Sequence, residues 1–200
     1  MIARLRLLLI LVLCVAGQAH AALNYSAILS GAAEAVPNAS TATGLVQVRY
    51  DPGTHTLALD VSFSGLLGGS RAAYFECCAS IPPVARAGEA AARPASPAIA
   101  GFPLRVSSGS YSQVLDLSLV ASYDSAFVAA SGGSALLAEK RLLAGLASGA
   151  SYLDIRSTAF PGGEIRGFLS EAATPLPEPD SLVLLGLGLI AFGFIRWRGK

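Results

Sequence analysis

The chain has 200 residues, with 14 Lys or Arg balanced by 13 Asp or Glu. It carries no basic patch, aromatic-rich basic loop or zinc-finger spacing, which argues against nucleic acid as a partner. Its positive mean hydropathy is inflated by two terminal apolar segments, and residues 22–179 between them hold nine Lys or Arg and twelve Asp or Glu, a formal charge of −3 in a stretch long enough for one domain with a real core.

At the N-terminus, Arg4 and Arg6 precede an apolar run from Leu7 to Ala16, and small residues then reach Ala19-His20-Ala21. This is the layout of a secretory signal peptide, with Ala19 and Ala21 fitting the cleft of signal peptidase and cleavage expected after Ala21. Residues 1–21 are therefore an export signal. The run is short for a retained membrane anchor, and Leu13 stands where a lipoprotein signal needs a small residue before Cys14.

Residues 22–173 read as mainly β. Val46, Val48 and Tyr50 alternate with Gln47 and Arg49, the turn-forming Asp51-Pro52-Gly53-Thr54 follows, and Leu57, Leu59, Val61 and Phe63 then alternate with polar or small residues. That pattern predicts a hairpin with one buried face. Further strand-like runs cover 25–30, 72–78, 112–119, 152–157 and 164–169, so seven short strands predict an antiparallel β-sandwich of the immunoglobulin-like or superoxide-dismutase-like kind. Two stretches break the pattern. The Pro- and Ala-rich segment 81–103 suits a surface loop. Within 124–148, Ala135, Ala138, Leu142 and Leu146 fall near one helical face, predicting one helix over about 134–147, capped by Ser134 and packed on the sandwich.

Once Cys14 leaves with the signal, only the adjacent Cys77 and Cys78 remain. In an oxidising compartment they have three fates: a vicinal disulfide, free thiols, or cross-links between chains. A buried thiol or a vicinal disulfide is favoured over a redox site, because no Cys-x-x-Cys is present. His55 is the one histidine of the mature chain and is expected to face solvent beside its hairpin turn. No Ser-His-Asp set can form around it, and there is no Gly-rich phosphate loop. The expectation is a protein without catalytic residues, cofactor or metal.

At the C-terminus, residues 174–180 form a Pro-rich linker, and 181–200 hold an apolar run from Leu182 to Ile195 followed by Arg196, Trp197, Arg198 and Lys200. Fourteen apolar residues rise only about 21 Å as a helix, so this short transmembrane helix needs snorkelling basic residues or a locally thinned bilayer. Its basic tip should stay cytoplasmic, leaving the domain on the far side of the membrane. Pro177-Glu178-Pro179, the Gly-rich apolar helix and the Arg-x-Arg tip resemble a PEP-CTERM sorting tail. The resemblance implies recognition by an exosortase, removal of the helix, and delivery to the surface or extracellular polymer matrix of a Gram-negative bacterium. A simple tail anchor rests on the same apolar-segment physics.

The body of the chain resembles a CHRD domain. The matching residues are LSGAAEAVPNASTATG (29–44), the hairpin strand LALDVSFSGL (57–66), the pair Cys77-Cys78, and AFPGGEIRGFL (159–169). Members of that family carry His-x-His before the cysteines and a further His in the penultimate strand, at positions that are Tyr74, Glu76 and Arg156 here. If those histidines cluster, Glu76 and Arg156 should meet, and an ion pair is expected to replace the imidazoles; the alternative is two unrelated surface charges. Glu164 and Arg166 are expected in a structural cross-strand network. The sequons Asn24-Tyr25-Ser26 and Asn38-Ala39-Ser40 are assigned no function. The reading that follows is an exported, non-catalytic surface or matrix protein, structural or adhesive, with exopolysaccharide as a partner. Alternatives are a small-molecule or metal-binding envelope module and a membrane-tethered periplasmic domain.

Overall fold

The computed structural model describes residues 21–78 and 99–172. The export signal with Ala19, the larger part of the 81–103 segment, the linker and sorting residues Pro177, Glu178 and Pro179, and the apolar helix with its basic tip lie outside the described residues.

Eight strands alternate with short helical pieces: β1 (Leu23–Ser30), β2 (Thr43–Asp51), β3 (Thr56–Ser64), β4 (Ser70–Glu76), β5 (Gly109–Asp116), helices α1 (Ser125–Ala130) and α2 (Ala135–Ala147), then β6 (Tyr152–Ser157), β7 (Ile165–Phe168) and β8 (Ser170–Glu171). All strand pairs are antiparallel, in the order β4-β6-β7-β1-β2-β3-β5, with β8 also paired to β1. The mainly antiparallel β fold read from the sequence is therefore present, and its strands are joined in one continuous sheet that wraps as a half-barrel. β1 makes the join. It pairs with β2 along its whole length, and on its other edge it meets β7 at Ser30 and β8 at Tyr25 and Ser26.

The β2–β3 hairpin follows its alternation. Val46 pairs with Val61 and Val48 with Leu59, all buried, while Leu45, Gln47, Asp60 and Ser62 are exposed on the other face. A one-residue slip would turn the whole apolar set to water, so the register is strongly specified. Ala27 and Leu29 of β1, Ala73 and Phe75 of β4, and Leu153 and Ile155 of β6 join the same core cluster.

Two helices cover that core where one was expected. Asp124 caps α1, accepting from the Ala126 and Phe127 amides at 2.9 and 3.3 Å, and the helix buries Phe127 and Val128. Ser134 caps α2 by accepting from the Leu137 amide at 3.3 Å. The α2 residues buried are Ala138, Glu139, Leu142, Gly145 and Leu146, so the predicted apolar face is the packed one, with a carboxylate in its middle.

Candidate functional site

On β6, Leu153 and Ile155 enter the core, and alternation sends Tyr152, Asp154 and Arg156 to the other face. The register then decides the neighbours. Asp154 stands between Tyr74 of β4 and Arg166 of β7, and Tyr152 between Glu76 and Phe168. A short 3-10 turn at Gly31–Ala33 after β1 brings in a further acid, Glu34. Asp154, Glu34, Arg166, Tyr152 and Glu76 are all buried.

Burying so many ionisable groups requires pairing. Arg166 Nη2 lies 3.2 Å from Glu34 Oε2, and its guanidinium stacks over the Tyr152 ring at 4.7 Å. The Tyr152 hydroxyl donates to Glu76 Oε2. Arg156 Nε lies 3.0 Å from Asp154 Oδ2, and its guanidinium sits 4.3 Å above the Tyr74 ring. Tyr74, Glu76 and Arg156, the positions of the absent histidines, thus lie in one network. An ion pair between Glu76 and Arg156 was the expectation; the carboxylate 3.0 Å from Arg156 Nε is that of Asp154. The cause is the register, which sets Arg156 opposite Ala72 and Glu76 opposite Tyr152 at the far end of the same strand pair.

Burial raises the Glu34 carboxyl to about 8; the Asp154 charge and a hydrogen bond to the Asp154 carboxyl push the same way, and Arg166 opposes them. Burial also raises Asp154, although Arg156 and Arg166 pull it down. Glu34 Oε1 and Asp154 Oδ1 receive no donor from elsewhere in the described residues. A proton held between the two carboxyls satisfies both oxygens. Among the described residues, no group of three or more His, Cys, Asp or Glu is arranged to hold a metal ion.

Glu164 ties the loops at this end of the sheet. Its Oε1 accepts from Ser40 Oγ and from the Leu67 amide, both at 2.7 Å, and its carbonyl accepts from Asn38 Nδ2 at 3.1 Å. Loops 31–42, 65–69 and 158–164 are thereby fixed together, with Asn38, a sequon residue, as an internal donor. Gly163 has φ +140°, and a Cβ there would lie 2.5 Å from Glu34 Oε2. Only glycine allows both that turn and that approach.

Two further groups lie on α2. Glu139 Oε1 accepts from the Tyr50 hydroxyl at 2.6 Å and lies 2.9 Å from His55 Nδ1, with Oε2 at 3.1 Å. His55 is exposed as expected, but it is bound to a buried carboxylate through a left-handed turn residue at φ +54°. Burial, followed by the Glu139 hydrogen bond, raises the Tyr50 hydroxyl above its ordinary range. Cys77 and Cys78 are joined by a vicinal disulfide at the end of β4, against Gly145 of α2.

Glu34, Asp154 and Glu139 were missed as site residues by the sequence reading. Glu139 had a signal: with Ala135, Ala138, Leu142 and Leu146 it completes the three-and-four spacing of a buried helical face. Glu34 had only its place inside the 29–44 motif, and nothing local says that a turn residue will reach across to β7.

A half-barrel sheet with two helices packed on its apolar core and a buried acid–arginine network on its other face defines a small, mainly antiparallel β domain. The CHRD domain family matches residues 25–169, and the chain belongs to that family. A PEP-CTERM protein-sorting motif matches residues 175–198. The protein is exported and is processed by an exosortase-type enzyme during membrane-associated sorting to the cell surface. No curated protein and no solved structure matches the chain.

Proposed function

We propose that the protein is a non-catalytic structural or adhesive component of the surface or extracellular matrix of a Gram-negative bacterium, and that its domain associates with exopolysaccharide. The supporting observation is the open outer face of β1, β2, β3 and β5. Pairing aligns Ser26, Gln47, Asp60 and Ser112 in one row across the four strands. Leu45, Ser62 and Ser110 flank that row in a shallow groove of about 270 Å³. Hydroxyl, amide and carboxylate groups set at strand spacing, about 4.8 Å apart, suit the repeating hydroxyls of a polysaccharide chain.

The buried network supports the non-catalytic part of this reading. Arg166 and Arg156 are each paired with a carboxylate, and the raised Glu34 carboxyl is buried. A catalytic acid of similar pKa belongs in a cleft. The test is co-sedimentation of the mature domain with exopolysaccharide extracted from the producing strain. Retention that falls about tenfold in a Gln47→Ala/Asp60→Ala variant supports the proposal. Equal retention of the variant, or no retention of the natural protein, overturns it.

A further inference from the structure

The vicinal cysteines are placed asymmetrically. Cys77 is fully buried, whereas Cys78 is partly exposed and adopts φ +71°, which turns it out of the strand alternation of β4. The Cys78 amide donates to the Ala150 carbonyl at 2.9 Å and fixes that turn beside the C-terminal end of α2.

The helix is shaped to receive both sulfurs. A Cβ on Gly145 would lie 2.4 Å from Cys77 Sγ and 3.1 Å from Cys78 Sγ, so any larger residue would push the helix off the pair. Across the same gap the Arg141 carbonyl oxygen lies 3.6 Å from Cys78 Sγ and 4.0 Å from Cys77 Sγ. Ser151 Oγ also borders this gap, 3.1 Å from the same Cβ position, and is buried with no hydrogen-bond partner. A disulfide has no proton to offer a carbonyl and is a poor partner for a hydroxyl. A thiol both donates and accepts. The Arg141 carbonyl already accepts the Gly145 amide within α2, so the group left under-used beside the oxidised pair is Ser151 Oγ, to which a thiol offers both a donor and an acceptor.

We propose that Cys77 and Cys78 form a reversible dithiol–disulfide centre that exchanges two electrons with an extracytoplasmic dithiol, Cys78 being the sulfur attacked. A thiolate of the incoming dithiol bonds to Cys78 Sγ and the Sγ–Sγ bond breaks. The bonding pair leaves on Cys77 Sγ, which takes a proton from solvent. The second thiolate of the reductant then attacks its own partner sulfur and releases Cys78, which is protonated in turn. The dithiol is oxidised to a disulfide, and the cysteine pair gains two electrons and two protons. Gly145, Arg141 and Ser151 keep α2 docked in both states.

The test treats the mature protein with dithiothreitol under native conditions and then with iodoacetamide, reading the labelled sites by peptide mass. Cys78 should become alkylatable in the folded protein and Cys77 only after subsequent unfolding, with the far-UV circular dichroism unchanged and the disulfide restored by oxidised glutathione. Ser151→Ala should shift the dithiothreitol midpoint about fivefold toward the disulfide, the effect of losing one hydrogen bond. Cys77→Ser, which needs no reduction, should leave a Cys78 thiol that labels in the folded protein. Cys78 labelling that requires denaturant, loss of the fold on reduction, or a Cys78 thiol inert in the Cys77→Ser protein would overturn the proposal.

Discussion

Glu34 shows how one turn residue can govern the pH response of a domain. Its carboxyl is raised to about 8 in the folded chain from an ordinary value of 4.5, so the folded state binds a proton that the unfolded state releases over that interval. Stability from this group is fully present below about pH 4.5 and is lost as pH rises through about 8. Asp154, raised in the same direction, adds to the effect. Thermal unfolding of the natural domain should therefore show a melting temperature that declines from pH 5 to pH 8.5. Glu34→Gln, which cannot ionise, should flatten that decline; an unchanged slope would mean that no proton is shared there. Arg166 is the cation this buried acid relies on. Near neutral pH the Glu34 carboxyl holds its proton, so Arg166→Met leaves a buried oxygen without its donor and should cost about 1–3 kcal/mol in denaturant unfolding. A loss below about 1 kcal/mol would place the pair in solvent-like surroundings.

Among the elements, α2 carries the clearest contrast between what can be read and what cannot. Its cap and its apolar face follow from Ser134 and the spacing of Ala138, Leu142 and Leu146, because both are local to the helix. Ser134→Ala should cost about 1 kcal/mol. The role of Glu139 is not local, since its partners Tyr50 and His55 come from the β2–β3 hairpin. Glu139→Ala leaves the buried Tyr50 hydroxyl without its acceptor and should cost about 1–3 kcal/mol, while Glu139→Gln, which keeps an acceptor, should cost less. Equal losses would show that the carboxylate charge, rather than the acceptor, matters. The β2–β3 hairpin was legible for the same reason as the cap: alternation over 46–63 fixes which face is buried. β6 and β7 offered no such reading, because they are buried on both faces and their charges sit inside. Residue types named Glu76 and Arg156 as candidates, but the β4–β6 register chose the partners and gave Arg156 to Asp154.

Across the whole molecule, the two ends of the described chain meet. Ala172 donates its amide to the Asn24 carbonyl at 2.8 Å, and β8 pairs with the start of β1. The described residues next to the expected mature N-terminus at Ala22 thus lie beside Ala172, while the loops knitted by Glu164 lie at the opposite end of β1. The measurement that bears most directly on a sorted surface protein is intact mass with cell fractionation in the producing strain. A surface or medium fraction should contain a species that begins at Ala22 and lacks the segment from Leu182 to Lys200. A full-length tail found only in the inner membrane would contradict release to the exterior and leave a tethered periplasmic domain.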